Sequence, residues 1–152
     1  MSAFSVVTRK FDLKSIAAGL ICLVVLGIFL GIGYAAAMED FLHTYGLSLA
    51  DSDEEEIDAL IKSHRYHGWF LIIYALDFVV VMFCSFVAGK YSKEAPFLNG
   101  IVIGIFYIVV FLAGGSVRNE ILFALFTVVL VGAASSLGGY LAARGATGTP
   151  IT

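Results

Sequence analysis

The stretch Gly68-WFLIIYALDFVVVMFCSFVA-Gly89 carries one charged residue, Asp77, near the middle of an otherwise uncharged run. At ~1.5 Å of rise per helical residue, it is long enough to cross a bilayer core of ~30 Å. Three more stretches have the same character: Ser15–Met38, Pro96–Val117 and Ile121–Ala143. The sequence therefore predicts an all-α fold, a four-helix transmembrane bundle that forms a single membrane domain over residues 1–152.

Composition separates this chain from soluble proteins. Hydrophobic residues make up 60% of it and the mean hydropathy is +0.96, whereas soluble domains are ~45–50% apolar. The two cysteines, Cys22 and Cys84, lie inside predicted spans without a C-x-x-C motif, so we interpret them as small packing residues. The chain lacks the basic footprint of nucleic-acid binding. Because no catalytic or cofactor motif stands out, we expect a non-enzymatic protein without a cofactor or a nucleic-acid partner.

The basic residues predict how the chain is oriented in the membrane. If the N-terminus is cytoplasmic, six of the nine Lys and Arg residues fall inside and three outside. The inner six are Arg9, Lys10, Lys14, Lys90, Lys93 and Arg144. Tyr34, Tyr45, Tyr66 and Trp69 then form an aromatic belt at the outer interface. We therefore expect both termini in the cytoplasm.

The outer loop, residues 39–67, is the only long segment predicted outside the membrane. Ser52 and Glu55 have the spacing of a capping box, which predicts a helix from about Asp53. An apolar stripe at helical spacing follows, formed by Ile57, Leu60 and Ile61. We expect this stripe to lie on the membrane surface or on the tops of the other helices.

All three histidines, His43, His64 and His67, belong to this loop. His64 and His67 are spaced i,i+3 and could share a helix face, so a divalent metal site is conceivable. The alternative is a solvated acidic loop whose histidines lie at the headgroup level. Two ligands without a recognised signature favour this alternative, and we expect no metal.

Two pairs of segments are alike along the chain. Residues 15–21 (SIAAGLI) correspond to 96–102 (PFLNGIV), and residues 85–91 (SFVAGKY) correspond to 135–141 (SSLGGYL). The correspondence indicates two parallel helical hairpins, a kind of repeat common in membrane proteins. Glycine-rich spans also look alike by chance, so both interpretations stay open.

Small residues recur at helical spacing in the spans. The glycines that we expect to pack against other helices are Gly19, Gly27, Gly31, Gly100, Gly104, Gly132 and Gly139. Small side chains let helix backbones approach closely, which drives association where lipid removes the hydrophobic incentive. The same faces could also meet another copy of the chain or another protein.

Asp77 is the residue whose insertion into a membrane costs most free energy, because an ionised side chain at mid-bilayer costs ~2.5–3.5 kcal/mol on insertion scales. Three interpretations follow. Asp77 is protonated and hydrogen-bonded to Tyr107, or it is a proton or cation site lined by Tyr74 and Thr127. In the third interpretation it meets a basic residue of another subunit, because no Lys, Arg or His occurs within a span.

The last span ends in Gly138-GYLAA-Arg144, and the third opens with Gly89-KYSKEAPFLN-Gly100, followed by Gly104. Together these motifs resemble those of small, uncharacterised four-span proteins of bacterial inner membranes. There a span ends in G-G-Y-x-A-A-R and the next opens around a glycine. The resemblance covers only the C-terminal part of the chain. It implies a bacterial inner membrane and a four-helix fold, and it brings no activity.

These observations lead to two hypotheses of function. The first is a membrane protein that acts through helix association, as an accessory subunit or scaffold of a membrane complex. Its partners would be the lipid bilayer and either another protein or further copies of itself. The alternative is a small oligomeric transporter or channel in which Asp77 binds a proton or a cation.

Overall fold

The computed structural model describes residues 11–64, 68–113 and 121–146. These ranges contain five helices and no strand, which confirms the all-α prediction. The helices are α1 (Leu13–Thr44), α2 (Glu54–His64), α3 (Gly68–Tyr91), α4 (Pro96–Ala113) and α5 (Ile121–Ala146). Within the described chain, α1, α3, α4 and α5 are long and apolar enough to cross a membrane. They indicate a multi-pass integral membrane protein.

Residue contacts divide the described chain into two compact units. One consists of Val25–Asp77 and is called the loop unit below. The other, called the four-helix unit, contains α1 up to Val24, α3 from Phe78 onward, and all of α4 and α5. The single membrane domain expected over residues 1–152 stays a prediction.

Small residues fill the interior of the four-helix unit. Its fully buried or nearly buried side chains include Ser15, Val81, Cys84, Ser85, Ala88, Asn99, Ile103, Val131, Ala134, Ser135 and Ala142. Apart from the buried Val81, Ile103 and Val131, many large apolar side chains of this unit point outward, as with Ile105 and Val129. This arrangement suits a bundle in lipid, where close backbone packing rather than burial of large apolar groups favours association.

The loop unit contains the second part of α1, which is longer than the predicted span. Helix α1 runs on to Thr44, so residues 39–44 are helical, and their predicted place outside the membrane stays a prediction. Gly46 then adopts a left-handed conformation with φ of 75°. The N–H of Gly46 donates to the carbonyl of His43, and the N–H of Leu47 donates to that of Leu42. This is a Schellman cap, which needs a left-handed residue after the helix and therefore favours glycine.

Helix α2 packs on the end of α1. Met38 and Leu42 are buried there, and the predicted apolar stripe of α2 packs against them. Leu47, Ile73 and Tyr74 complete the same cluster. The stripe therefore covers the top of another helix, which was one of the two places predicted for it.

The predicted capping box is wrong in its residues. Asp53, and not Ser52, caps α2, because its carboxylate accepts from the N–H of Glu55 at 3.3 Å. The hydroxyl of Ser52 instead accepts from the N–H of Ser48 at 2.9 Å. Ser52 therefore closes the turn that precedes the helix, and the helix begins at Glu54, one residue after the predicted start.

Candidate functional site

Four of the predicted packing glycines lie against neighbouring helices in the four-helix unit. A Cβ added to Gly100 would lie 2.7 Å from the Cα of Gly139. One added to Gly19 would lie 2.7 Å from the Cβ of Ala88, and Gly104 faces Ser135 in the same way. Real Cβ atoms essentially never come within 3.0 Å of another heavy atom, so a methyl group at any of these positions would force the neighbouring helix or side chain to shift.

The other three predicted packing glycines have no such neighbour. A Cβ on Gly27, Gly31 or Gly132 would meet no atom of the described residues within 4 Å. Around Gly27 and Gly31 the surface of α1 is open, since Val24, one turn before Gly27, is 56% exposed and Ile28, one turn before Gly31, is 59% exposed. The packing role predicted for these three glycines therefore finds no partner within the part of the chain that the structure describes.

The second half of α3 and the middle of α5 show the same burial pattern fifty positions apart. In α3 the buried residues are Val81, Cys84, Ser85, Ala88, Gly89 and, just past its end, Ser92; in α5 they are Val131, Ala134, Ser135, Gly138, Gly139 and Ala142. The offset is the one at which the two sequences align. Likewise Gly19 of α1 packs on α3, as Gly100 of α4 packs on α5. This agreement favours a duplicated hairpin over chance similarity.

A buried polar contact, which the sequence did not single out, joins α1 to α4. The side-chain amide of Asn99 donates to the hydroxyl of Ser15 at 2.9 Å. That hydroxyl donates in turn to the carbonyl of Asp12 at 2.8 Å. Among the described residues, the Oδ1 of Asn99 and the Oγ of Ser85 have no hydrogen-bond partner. The sequence signal for this contact was a polar residue, Asn99, within the first turn after Pro96 in an otherwise apolar stretch.

The residues proposed around Asp77 divide between the two units. Asp77 and Tyr74 are half-buried in the loop unit, whereas Tyr107 and Thr127 are half-buried in the four-helix unit. The predicted hydrogen bond between Asp77 and Tyr107 therefore stays a prediction. Tyr34, which the sequence assigned to the outer interface, belongs to the loop unit and lies within electrostatic range of Asp77. Sequence reasoning missed it because depth along α1 does not reveal which helix face meets α3.

His64 takes part in a hydrogen-bonded aromatic cluster. Its Nε2 lies 3.0 Å from the hydroxyl of Tyr45, and its Nδ1 lies 3.1 Å from the carbonyl of Leu60. The hydroxyl of Ser63 also lies 2.8 Å from Nδ1, so the donor and acceptor roles of the ring depend on its tautomer. The rings of Phe41 and Tyr45 lie 5.7 and 5.0 Å from the imidazole. Both ring nitrogens are thus engaged.

Of the two histidines considered for a metal site, the structure describes His64. His67 lies outside the described residues, so its distance to His64 is not defined. Within the described chain, no three His, Cys, Asp or Glu side chains are grouped as a metal site would require. His43 contacts Glu39 at 3.4 Å instead.

Glu39 holds the turn that follows α1. Its carboxylate accepts from the N–H of Leu49 and from the hydroxyl of Ser48, both at 3.0 Å. The N–H of Leu49, assisted by Ser48 and His43, lowers the pKa of Glu39 below its ordinary value. Glu39 follows the apolar stretch that ends at Met38. Its contacts fix the loop onto the end of the first membrane helix.

The chain matches no protein family, no curated protein and no solved structure. Two features of the structure bear on its function. One is the contrast between glycines that pack against a helix and those that meet no described atom. The other is Asp77 of α3, together with Tyr74 and Tyr34.

Proposed function

We propose that the chain is a non-enzymatic integral membrane protein that acts through helix association, as an accessory subunit or scaffold of a membrane complex. Its setting would be a bacterial inner membrane, with both termini in the cytoplasm. The observation that carries this proposal is the open segment of α1 around Gly27 and Gly31. These glycines are spaced i,i+4 and therefore share one helix face, the spacing at which membrane helices approach each other closely.

The contrast within the molecule supports this interpretation. Four glycines of the four-helix unit, Gly19, Gly100, Gly104 and Gly139, pack against neighbouring helices, whereas Gly27 and Gly31 meet no described neighbour. Gly33 is equally open but lies about 200° around the helix from Gly31, given ~3.6 residues per turn. Tyr34, three residues after Gly31 on the same side of α1, lies within electrostatic range of Asp77. The part of this face that is open to a helix from another molecule, either a partner protein or a second copy, is therefore the part around Gly27 and Gly31.

The test is a gentle purification of the tagged protein from its native membrane, followed by mass spectrometry and measurement of its oligomeric state. We expect a stoichiometric companion or a homo-oligomer. Gly31→Leu should reduce this association, because the larger side chain holds a neighbouring helix away. Gly33→Leu is the matched control and should leave association unchanged. Recovery of a lone monomer, or equal behaviour of both variants and the wild type, would overturn the proposal.

A second candidate function is a small oligomeric transporter or channel with Asp77 as its proton or cation site. It is favoured by the electrostatic proximity of Tyr34 to Asp77, which adds a polar group to those that the sequence indicated. Asp77→Asn cannot titrate, so proton-coupled transport in vesicles would be lost in this variant. Unchanged transport, or none in the wild type, would exclude this candidate.

A further inference from the structure

The two cysteines of the chain meet inside the four-helix unit. The S–H of Cys84 in α3 donates to the Sγ of Cys22 in α1 at 3.4 Å, although the residues are 62 positions apart. Both are free thiols and no other cysteine occurs in the sequence. Cys84 is fully buried, whereas Cys22 is half-buried. A reagent can therefore reach the thiol of Cys22, whereas the thiol of Cys84 is enclosed by the protein.

The surroundings of the two cysteines determine which kind of oxidant can reach them. Both cysteines lie inside the apolar stretches, roughly 8 to 10 Å from the nearer end at ~1.5 Å per residue. Charged aqueous oxidants do not enter hydrocarbon. Beside Cys22, however, Ile21 is 65% exposed and Val25 is 46% exposed on the surface of α1. An oxidant dissolved in the lipid can therefore approach Cys22 first.

We propose that Cys22 and Cys84 form a dithiol that lipid hydroperoxides oxidise to a disulfide between α1 and α3. In the first step the O–O bond of the hydroperoxide breaks. One oxygen is transferred to Cys22 as a sulfenic acid, and the thiol proton leaves with the lipid alcohol. In the second step the Sγ of Cys84 attacks the Sγ of Cys22. The S–O bond breaks, the S–S bond forms and water is released.

The difference in exposure between the thiols assigns their roles. Cys22 is half-buried and can be approached from the lipid, whereas Cys84 is fully buried behind it at a Sγ–Sγ distance of 3.4 Å. Cys22 is thus the attacking thiol and Cys84 the resolving one. The helices already approach closely at this level, because a Cβ on Gly19 would lie 3.1 Å from the carbonyl oxygen of Cys84. Short separation of the two backbones is what a disulfide requires.

The experiment uses the purified full chain in vesicles of phosphatidylethanolamine and phosphatidylglycerol. The vesicles are treated with cumene hydroperoxide, and the protein is then denatured, alkylated with a maleimide and weighed intact. We expect a monomer that has lost two hydrogens and takes no maleimide until a reductant is added. Two maleimides on the treated wild type, or a disulfide between two chains, would overturn the proposal.

Single variants test the order of the steps. Cys84→Ala introduces the residue found at the matching position 134 of α5 and keeps Cys22. In this variant we expect a sulfenic acid at Cys22 that dimedone traps. Cys22→Ala should leave Cys84 unoxidised, and oxidation of Cys84 there would contradict the assigned roles. If either variant fails to fold, the masses of the treated wild type alone decide.

Discussion

The four-helix unit and the loop unit differ in the side chains that make their internal contacts. In the four-helix unit the closest contacts between helices are made by glycine, alanine, serine and cysteine, with Val81, Ile103 and Val131 buried beside them. Other large apolar residues of this unit, such as Ile105 and Val129, face outward. In the loop unit the buried residues are Met38 and Leu42, with leucines and isoleucines packed around them. Lipid offers large apolar side chains no gain on burial, whereas water does. The two units thus differ in how much of their internal packing is made by large apolar side chains.

The largest expected effect tests the loop unit. Leu42 is fully buried, so Leu42→Ala should leave a cavity and destabilise this unit by ~2–5 kcal/mol. Hydrogen exchange of the protein in detergent measures the effect through the amides of α2, which should lose protection. Thr44→Ala, on the exposed side of the same helix, is the control. If Leu42→Ala left protection in α2 unchanged, large side chains would not be what holds this unit.

The next effect tests the four-helix unit, where adding a methyl group should destabilise. A Cβ on Gly138 would collide with the carbonyl oxygen of Met82 and the backbone nitrogen of Phe86. Gly138→Ala should therefore cost ~1–3 kcal/mol through overpacking, measured as a lower midpoint of thermal unfolding in detergent.

The matched control lies in the same helix. A Cβ on Gly132 would meet no described atom, so Gly132→Ala should be neutral or should stabilise by up to ~1 kcal/mol through helix propensity. If Gly138→Ala and Gly132→Ala lowered the unfolding midpoint equally, the close contacts at Gly138 would not contribute to stability.

The smallest effect concerns pH and the attachment of the loop to α1. The pKa of Glu39 is lowered in the folded state, chiefly by the N–H of Leu49. Its contribution to stability is therefore present above the unfolded value of ~4.3 and is lost as the pH falls through the folded pKa. The amide of Leu49, corrected for intrinsic exchange, should lose protection in that window. Glu39→Gln should remove this pH dependence, and an identical profile in the variant would contradict the assignment.

Sequence patterns predicted the helices but not which small residues would meet. Length and hydropathy located all four apolar helices, because crossing hydrocarbon imposes both requirements locally. Gly19 and Gly27 look equivalent in the sequence, yet only Gly19 lies against another helix in the described structure. That difference depends on the positions of α3 and α4 relative to α1. The local periodicity of the sequence does not predict these positions.

Local chemistry was likewise ambiguous at the cap of α2. Ser52 and Asp53 are both good capping residues, and only the turn at Ser48 decides between them. Asp77 and Tyr74 of the candidate site could be predicted from the sequence. The contacts of Asn99 and the contact between Cys22 and Cys84 could not, because they depend on which helices are neighbours.

The matching burial of α3 and α5 has a consequence for the history of the chain. A hairpin whose buried face fits a copy of itself can associate as a pair of separate molecules. Fusion of two copies into one polypeptide makes that encounter intramolecular and independent of expression level. The two halves of this chain match in the buried faces of α3 and α5 and differ in their connections. The segment that carries α2 separates α1 from α3, whereas seven residues separate α4 from α5. Contact between the halves constrains the matching faces, and no such contact constrains the length of either connection.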